Sequence, residues 1–176
     1  FRIIPAGNVG VVTRFGEVQD RILHPGLQFV MPVAEGIVEV ETRVRGVGFE
    51  ALGAASSEYQ DVFLTGTLNI HVEAEGAGDL FQRVGLDYVD KLVNPFFAQI
   101  VKEIVPQYDI DEILIKREEI RRLTVESLNE KLNPYNIVVD DVALAQLAVG
   151  HEEAHRERPH PHTSSSLLIH FGTVIS

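Results

Sequence analysis

The 176-residue chain contains no cysteine and no run of 18 or more consecutive apolar residues. Without cysteine, neither a disulfide framework nor a thiolate zinc site can form. Without a long apolar run, no part of this sequence is expected to cross a bilayer as a helix. Hydrophobic residues still make up 45% of the chain, which is enough for a folded body with a real core.

Basic side chains are also scarce. Fifteen Lys and Arg against 26 Asp and Glu give a formal net charge of -11 at pH 7. This surplus disfavours nucleic acid as a partner and repels an anionic membrane surface. Any membrane contact is therefore expected to be hydrophobic or to come from an anchor, such as a segment preceding Phe1.

Reactive constellations are missing as far as Leu147. This part of the sequence pairs no nucleophile with a base and has no Gly-rich phosphate loop or cluster of metal-ligand residues. Ser56 and Ser57 lack a matching His and Asp. The pattern indicates a scaffold or binding module, not an enzyme, and predicts no cofactor.

Strand periodicity dominates the first 72 residues. The β-rich runs 9–15 and 18–23 flank Gly16-Glu17, which predicts a hairpin. Apolar and charged residues alternate over 37–47, which predicts one half-buried strand.

A second long alternation covers residues 62–72. Gly66 interrupts its apolar face and predicts a bulge there. The small residues 51–57 before it predict a loop, and Pro25 and Pro32 confine 27–31 to a short strand or exposed loop.

Helical patterns follow residue 77. A short helix is expected over 79–84, and Asp87 can cap a second helix. Asn94-Pro95 predicts an N-cap and a restart, with a helix over 96–105. Asp109 or Asp111 starts a further turn, residues 116–132 continue as a charged helix, and Ile137 begins the last strand.

Charged residues four apart run along the 116–132 helix and just before it. The expected pairs are Glu112 with Lys116, Glu118 with Arg122, and Arg122 with Glu126, each contributing about 0.2–0.5 kcal/mol. Such a run is commonly a solvated helix face. The alternative is a contact between subunits, for which the candidates are Glu118, Arg121, Arg122 and Glu126.

The sequences and the order of several segments resemble the band 7 or SPFH domain family shared by stomatins, prohibitins and flotillins, with prohibitin-like members most similar. The resemblance covers about residues 3–147. The segments that carry it are Ile4-Pro5-Ala6-Gly7, Val11-Val12-Thr13-Arg14-Phe15-Gly16, His24-Pro25-Gly26-Leu27-Gln28-Phe29, Asp61-Val62, Tyr108-Asp109-Ile110-Asp111-Glu112-Ile113-Leu114, Lys116-Arg117-Glu118 and Ile137-Val138-Val139-Asp140-Asp141-Val142-Ala143-Leu144.

The resemblance implies an α+β domain over residues 1–147. Its parts would be an antiparallel, membrane-proximal β lobe (1–50) and a mixed α/β lobe with amphipathic helices and a final strand (51–147). It implies a non-enzymatic scaffold on a bacterial inner membrane or an organelle membrane, normally behind an N-terminal anchor. The expected partners are other SPFH subunits, in a homo- or hetero-oligomer, and a membrane-bound AAA protease.

The same resemblance makes the apolar residues between the two prolines candidates for touching lipid headgroups or a neighbouring subunit. These candidates are Leu27, Phe29, Val30 and Met31. The plainer interpretation of all four is buried core at a strand end.

The tail, residues 148–176, departs from the family, which continues into a heptad-patterned helix. Here Pro159 and Pro161 would break such a helix, and a flexible His-, Pro- and Ser-rich tail is expected. His151-Glu152-Glu153-Ala154-His155 matches the spacing of a zinc protease. A zinc-dependent hydrolase or adventitious metal binding at His151 and His155, and a soluble ligand-binding module, are therefore the alternatives to a scaffold.

Overall fold

The computed structural model describes residues 1–150 in full and the backbone of residues 167–170. Its strands are β1 (Arg2–Ile4), β2 (Asn8–Arg14), β3 (Glu17–Leu23), β4 (Gly26–Gln28), β5 (Glu35–Glu41), β6 (Arg45–Ala55), β7 (Asp61–Val72), β8 (Ile137–Val149) and β9 (Leu167–His170). Its α-helices are α1 (Ala77–Arg83), α2 (Asn94–Ile104), α3 (Ile110–Ile115) and α4 (Arg117–Leu132). Shorter turns of helix are Ala74–Gly76, Val105–Gln107, Asn133–Tyr135 and the π-helical Val89–Val93.

Three antiparallel sheets organise the described residues. The first joins β1 to β4, the second has the order β3-β2-β5, and the third has the order β6-β7-β8-β9. Helices α1–α4 lie between β7 and β8 in the chain. The predicted α+β fold is confirmed.

The hairpin between β2 and β3 is confirmed, but its turn is Phe15-Gly16 and not Gly16-Glu17. Both turn residues have positive φ, 50° at Phe15 and 91° at Gly16. A two-residue turn of this hand matches the right-handed twist of the strands that it joins.

The single strand predicted over 37–47 is wrong, because the chain leaves one sheet and enters the next at residues 42–44. The backbone N–H of Thr42 donates to the Gly7 carbonyl at 2.9 Å, and its hydroxyl donates to the same oxygen at 3.1 Å. Arg43 donates to the Ala6 carbonyl. These bonds hold the crossing point against the turn between β1 and β2.

The loop predicted over 51–57 is also wrong, since β6 continues to Ala55 and pairs with β7 as far as Asp61. Its small residues lie opposite a long neighbouring strand, which supplies their backbone partners. The lobe boundary that we place between residues 50 and 51 falls inside β6.

The irregularity predicted at Gly66 is present in the pairing. The register of β6 shifts between Phe49 and Leu52, and β7 and β8 shift between Thr65 and Gly66. The extra residues thus lie in the strands on either side of Gly66, and β7 itself stays regular.

The helical half follows the predicted order with two corrections. The helical turn Val89–Val93 follows Tyr88 and has no side-chain capping bond, so Asp87 does not cap it. Asn94 is not an N-cap: its backbone is helical and the π-helical turn runs directly into α2. The side-chain amide of Asn94 does not cap the helix but donates to Asp90 Oδ1 at 3.2 Å. Pro95, the next residue, has no N–H that would need a cap. Asp109 is the residue that caps α3.

The main core lies between the third sheet and the helices. The fully buried large side chains of this core are Leu68, Ile70, Leu80, Ile100, Leu128, Leu132, Ile137 and Leu147, with Val9 and Val11 reaching it from β2. A second, smaller core fills the other face of β2 with Ile4, Val12, Leu23 and Val30.

Candidate contact surfaces

Exposed apolar side chains form a patch on β1, β4, the β2–β3 turn and the segment before β5. We define the apolar patch by its exposed members, which are Phe1, Ile3, Phe15, Leu27, Phe29, Met31 and Val33. Soluble monomers rarely leave so many large apolar side chains together in water. The patch is therefore a candidate contact surface.

Strand pairing sets the centre of the patch. Ile3 lies directly opposite Leu27 in the β1–β4 pair. The rings of Phe1 and Phe29 meet edge to face with centroids 5.6 Å apart. Val30 points the other way and is only 9% exposed in the smaller core. Of the four predicted contact residues, Leu27, Phe29 and Met31 are available at the surface and Val30 is not.

Sequence reasoning missed the other corner of the patch. Phe15 is 87% exposed and Val33 is 94% exposed. They lie near each other because the N–H of Phe15 donates to the carbonyl of Ala34 at 3.2 Å. The exposure of Phe15 could have been predicted from its position beside a glycine at a hairpin turn, where side chains point away from the sheet.

Glu35 holds the segment that carries Phe29, Met31 and Val33. Its carboxylate, only 5% exposed, accepts from the Met31 N–H at 3.0 Å and from Arg14 at 3.0 Å. Arg21 lies 3.8 Å from the same carboxylate and donates to the Phe29 carbonyl at 2.9 Å. The Met31 N–H and the Arg14 guanidinium hold the pKa of Glu35 below its ordinary value.

Charge is distributed unevenly about the patch. Residues 1–37 contain three arginines and three carboxylates, so they contribute no net charge from side chains at pH 7. The whole surplus of -11 belongs to the rest of the chain. Residues 1–37 thus add no net side-chain charge to the surplus that an anionic surface would repel.

A second surface is a shallow charged groove between α4 and the bulged start of β8. We define the charged groove by Glu118, Glu119, Arg121, Arg122, Val125, Glu126, Asp140 and Asp141. It contains all four of the predicted subunit-contact residues. Two arginines among five carboxylates make it predominantly acidic.

Ion pairs order the groove. Arg121 reaches Glu118 at 3.3 Å and Asp141 at 3.3 Å, so it ties α4 to β8. Arg122 pairs with Glu126 at 3.5 Å, as predicted. The predicted partner of Glu118 was Arg122, but Glu118 pairs with Arg121 instead. Both spacings are possible on a helix, because residues three apart lie as close as those four apart.

The alternative functions gain no support from the described residues. Within residues 1–150, no group of three or more His, Asp or Glu side chains is placed to hold a metal ion. His151 and His155 lie outside the described residues. The apolar cavity beside Ile113, Leu144 and Leu147 has about 30 Å³, far below the several hundred Å³ of a typical ligand pocket. The larger charged groove is open and lined mainly by charged side chains.

None of the helices that the structure describes is both long enough and apolar enough to cross a bilayer.

The comparisons agree with this architecture. The SPFH domain / Band 7 family matches residues 2–154. Prohibitin-3, mitochondrial, of Arabidopsis thaliana is 28% identical over 142 residues, which are 81% of this chain and 51% of that protein. Prohibitin 1 of Gallus gallus is 26% identical over 150 residues, 85% of this chain and 55% of that protein. Prohibitin-1 of Schizosaccharomyces pombe is 27% identical over 152 residues, 85% of this chain and 53% of that protein.

This chain spans about half the length of the curated relatives that it matches. The family match, by contrast, covers most of this chain and includes both the strands of the apolar patch and the helix of the charged groove. The chain therefore belongs to the SPFH domain / Band 7 family.

Proposed function

We propose that this chain is the membrane-proximal unit of a non-enzymatic scaffold, in which copies assemble on one membrane and organise it or restrain a membrane-bound protease. Membership of the SPFH family supports a membrane-associated scaffold role in general. The observation that carries the finer proposal is the apolar patch, which lies in residues 1–37, a part of this acidic chain with no net side-chain charge.

The patch can contribute to membrane binding without spanning the bilayer. Moving the exposed part of a Leu, Phe or Met side chain out of water contributes on the order of 1–2 kcal/mol. Several such side chains give a contact as weak and reversible as a single lipid anchor. Function at a membrane therefore needs either an added anchor or many copies.

Assembly supplies the copies. Confinement to one surface raises the effective concentration of neighbouring subunits, so weak lateral contacts become sufficient. The charged groove offers alternating signs that can set the register between neighbours. In solution, where that confinement is absent, this chain is expected to be monomeric or weakly associating by light scattering.

Flotation with phosphatidylcholine vesicles tests the membrane contact. The protein should float with vesicles at high lipid concentration, and raised salt should not release it, because the contact is apolar. Replacing Leu27 and Phe29 together by Glu should abolish flotation. Failure of the original protein to float, or equal flotation of the double variant, would overturn the proposal.

A matched control separates the patch from general stickiness. Ile115 is 81% exposed at the end of α3, outside the apolar patch. The double variant Leu86→Glu/Ile115→Glu removes two exposed apolar side chains and adds the same charge as the Leu27 and Phe29 double variant, since Leu86 is also exposed and lies outside the patch. It should float as well as the original protein.

A further inference from the structure

The outer edge of β8 is closed in three different ways along its length. Near its start, the side-chain amide of Asn129 donates to the Val139 carbonyl at 2.9 Å and accepts from the Val139 N–H at 2.8 Å. Further along, Asp141 accepts from the N–H of Val142 at 2.7 Å. Among the described residues, the last four of β8, 146–149, pair with a backbone strand, β9.

The pairing pattern shows which backbone groups face β9. The N–H of Gly150 donates to Asp61 on β7 at 2.8 Å. In an antiparallel ladder these directions alternate, so Leu147 and Val149 turn their N–H and C=O groups outward. Their partners on β9 are Ile169 and Leu167 respectively. The edge therefore presents two complete hydrogen-bonding positions to an extended segment.

β8 and β9 are far apart in the chain. A hairpin loop of about two to five residues fixes the register of the strands that it joins, whereas residues 150–166 separate β8 from β9. Residues 167–170 of a second copy would make the same backbone bonds. The choice between the two sources then depends on effective concentration, which is millimolar for a short tether.

We propose that the edge of β8 at residues 146–149 is a strand-docking site that binds residues 167–170 of its own chain in dilute solution and those of a second copy when copies are crowded. Exchange of an identical element between copies creates a contact without requiring any new surface. The proposal rests on the proposed scaffold only for the high local concentration of copies, since strand docking itself needs no membrane.

Cysteine pairing tests the exchange directly, because the chain contains no cysteine of its own. Ala148 and Leu168 are directly opposite, and alternation makes them a non-hydrogen-bonded pair, whose β-carbons lie about 4.5–5.5 Å apart. That separation is close to what a disulfide needs. One protein carries Ala148→Cys, the other Leu168→Cys, and the two are mixed and oxidised at high concentration.

Mixing should yield disulfide-linked heterodimers, because neither single variant can form the bond within one chain. A mixture of Ala143→Cys with Leu168→Cys is the control, since Ala143 is exposed on the same strand but lies outside the β9 register. The 148–168 yield should exceed the control several-fold. Adding Ile169→Pro to the Leu168→Cys protein should abolish the excess, because proline removes the N–H that faces β8.

Equal yields in the two mixtures would overturn the exchange. In that case the double variant Ala148→Cys/Leu168→Cys, oxidised when dilute, shows whether docking occurs within one chain only. Vesicle flotation does not depend on any of these results, so failure of strand exchange and failure of the membrane scaffold are distinguishable.

Discussion

The N–H of Met31 donates to the Glu35 carboxylate at 3.0 Å, and the N–H of Glu35 donates back to the Met31 carbonyl at 3.1 Å. This reciprocal pair closes the turn that carries Val33 into solvent. A nearly buried carboxylate thus holds an exposed apolar segment in one conformation, so its ionisation is coupled to the shape of the apolar patch.

Stability should depend on the charge of Glu35 in acid. Since the pKa of Glu35 is lowered in the folded protein, its contribution is fully present above the ordinary glutamate value of about 4.3 and is lost as pH falls through the folded value. Glu35→Gln should therefore lower the melting temperature at neutral pH. The difference from the original protein should shrink as the pH is lowered through the folded-state pKa, below the ordinary glutamate value, as followed by circular dichroism.

The control for this prediction is Glu58→Gln, in the exposed turn between β6 and β7. It should change the melting temperature little at neutral or at acidic pH. A deficit of Glu35→Gln that stayed constant across the whole pH range would show that the carboxylate charge does not stabilise the turn.

Two glycines in the third sheet should respond oppositely to alanine. A β-carbon at Gly66 would lie 2.2 Å from the Ala143 carbonyl oxygen and 2.8 Å from the Phe49 ring. One at Gly48 would have nothing within 4 Å. Gly66→Ala should cost on the order of 3 kcal/mol or more of unfolding free energy, whereas Gly48→Ala should be neutral or gain about 0.5 kcal/mol.

Urea denaturation measures both changes in the free energy of unfolding. Similar effects of the two substitutions would mean that β8 moves away from β7 to accept a methyl group at Gly66. The irregular register on both sides of that glycine would then not reflect close packing.

Period-two alternation was sufficient to predict β7, because alternation depends on neighbours within one strand. Gly66 marked the position of the irregularity, but the extra residues lie in the neighbouring strands β6 and β8. The break at residues 42–44 was not predictable in this way. Thr42 leaves its strand to bond with the carbonyl of Gly7, 35 residues earlier in the chain. A local pattern contains no information about such a partner.

The apolar patch was partly predictable for a related reason. Pro25 and Pro32 predict a short strand or exposed loop over 27–31, with either exposed or buried side chains. Alternate residues of an extended chain point in opposite directions, which is why Val30 is buried and Phe29 is not. Phe15 was predicted only as the last residue of the β-rich run 9–15. Only the fold shows that the turn carries its side chain into solvent beside Val33.

Loss of the cap on α3 should be measurable. The Asp109 side chain accepts from the Glu112 N–H at 2.7 Å, and the Glu112 side chain accepts from the Asp109 N–H at 3.4 Å, a capping box. Asp109→Ala should cost about 1 kcal/mol in urea denaturation. Asp111→Ala, in the same first turn but without a capping bond, should cost only a few tenths, and a larger loss there would contradict Asp109 as the cap.

The Asn129 amide should stabilise the sheet more than its position on a charged helix indicates. Asn129→Ala leaves the N–H and C=O of buried Val139 without their partner, and an unsatisfied buried polar group costs about 1–3 kcal/mol. We expect a loss of about 2 kcal/mol and faster hydrogen exchange of the Val139 amide. Glu130→Ala, on the exposed face of α4, should change neither. A loss no larger than that of Glu130→Ala would mean that water replaces the amide at Val139, and pairing with β7 alone would then hold this part of β8.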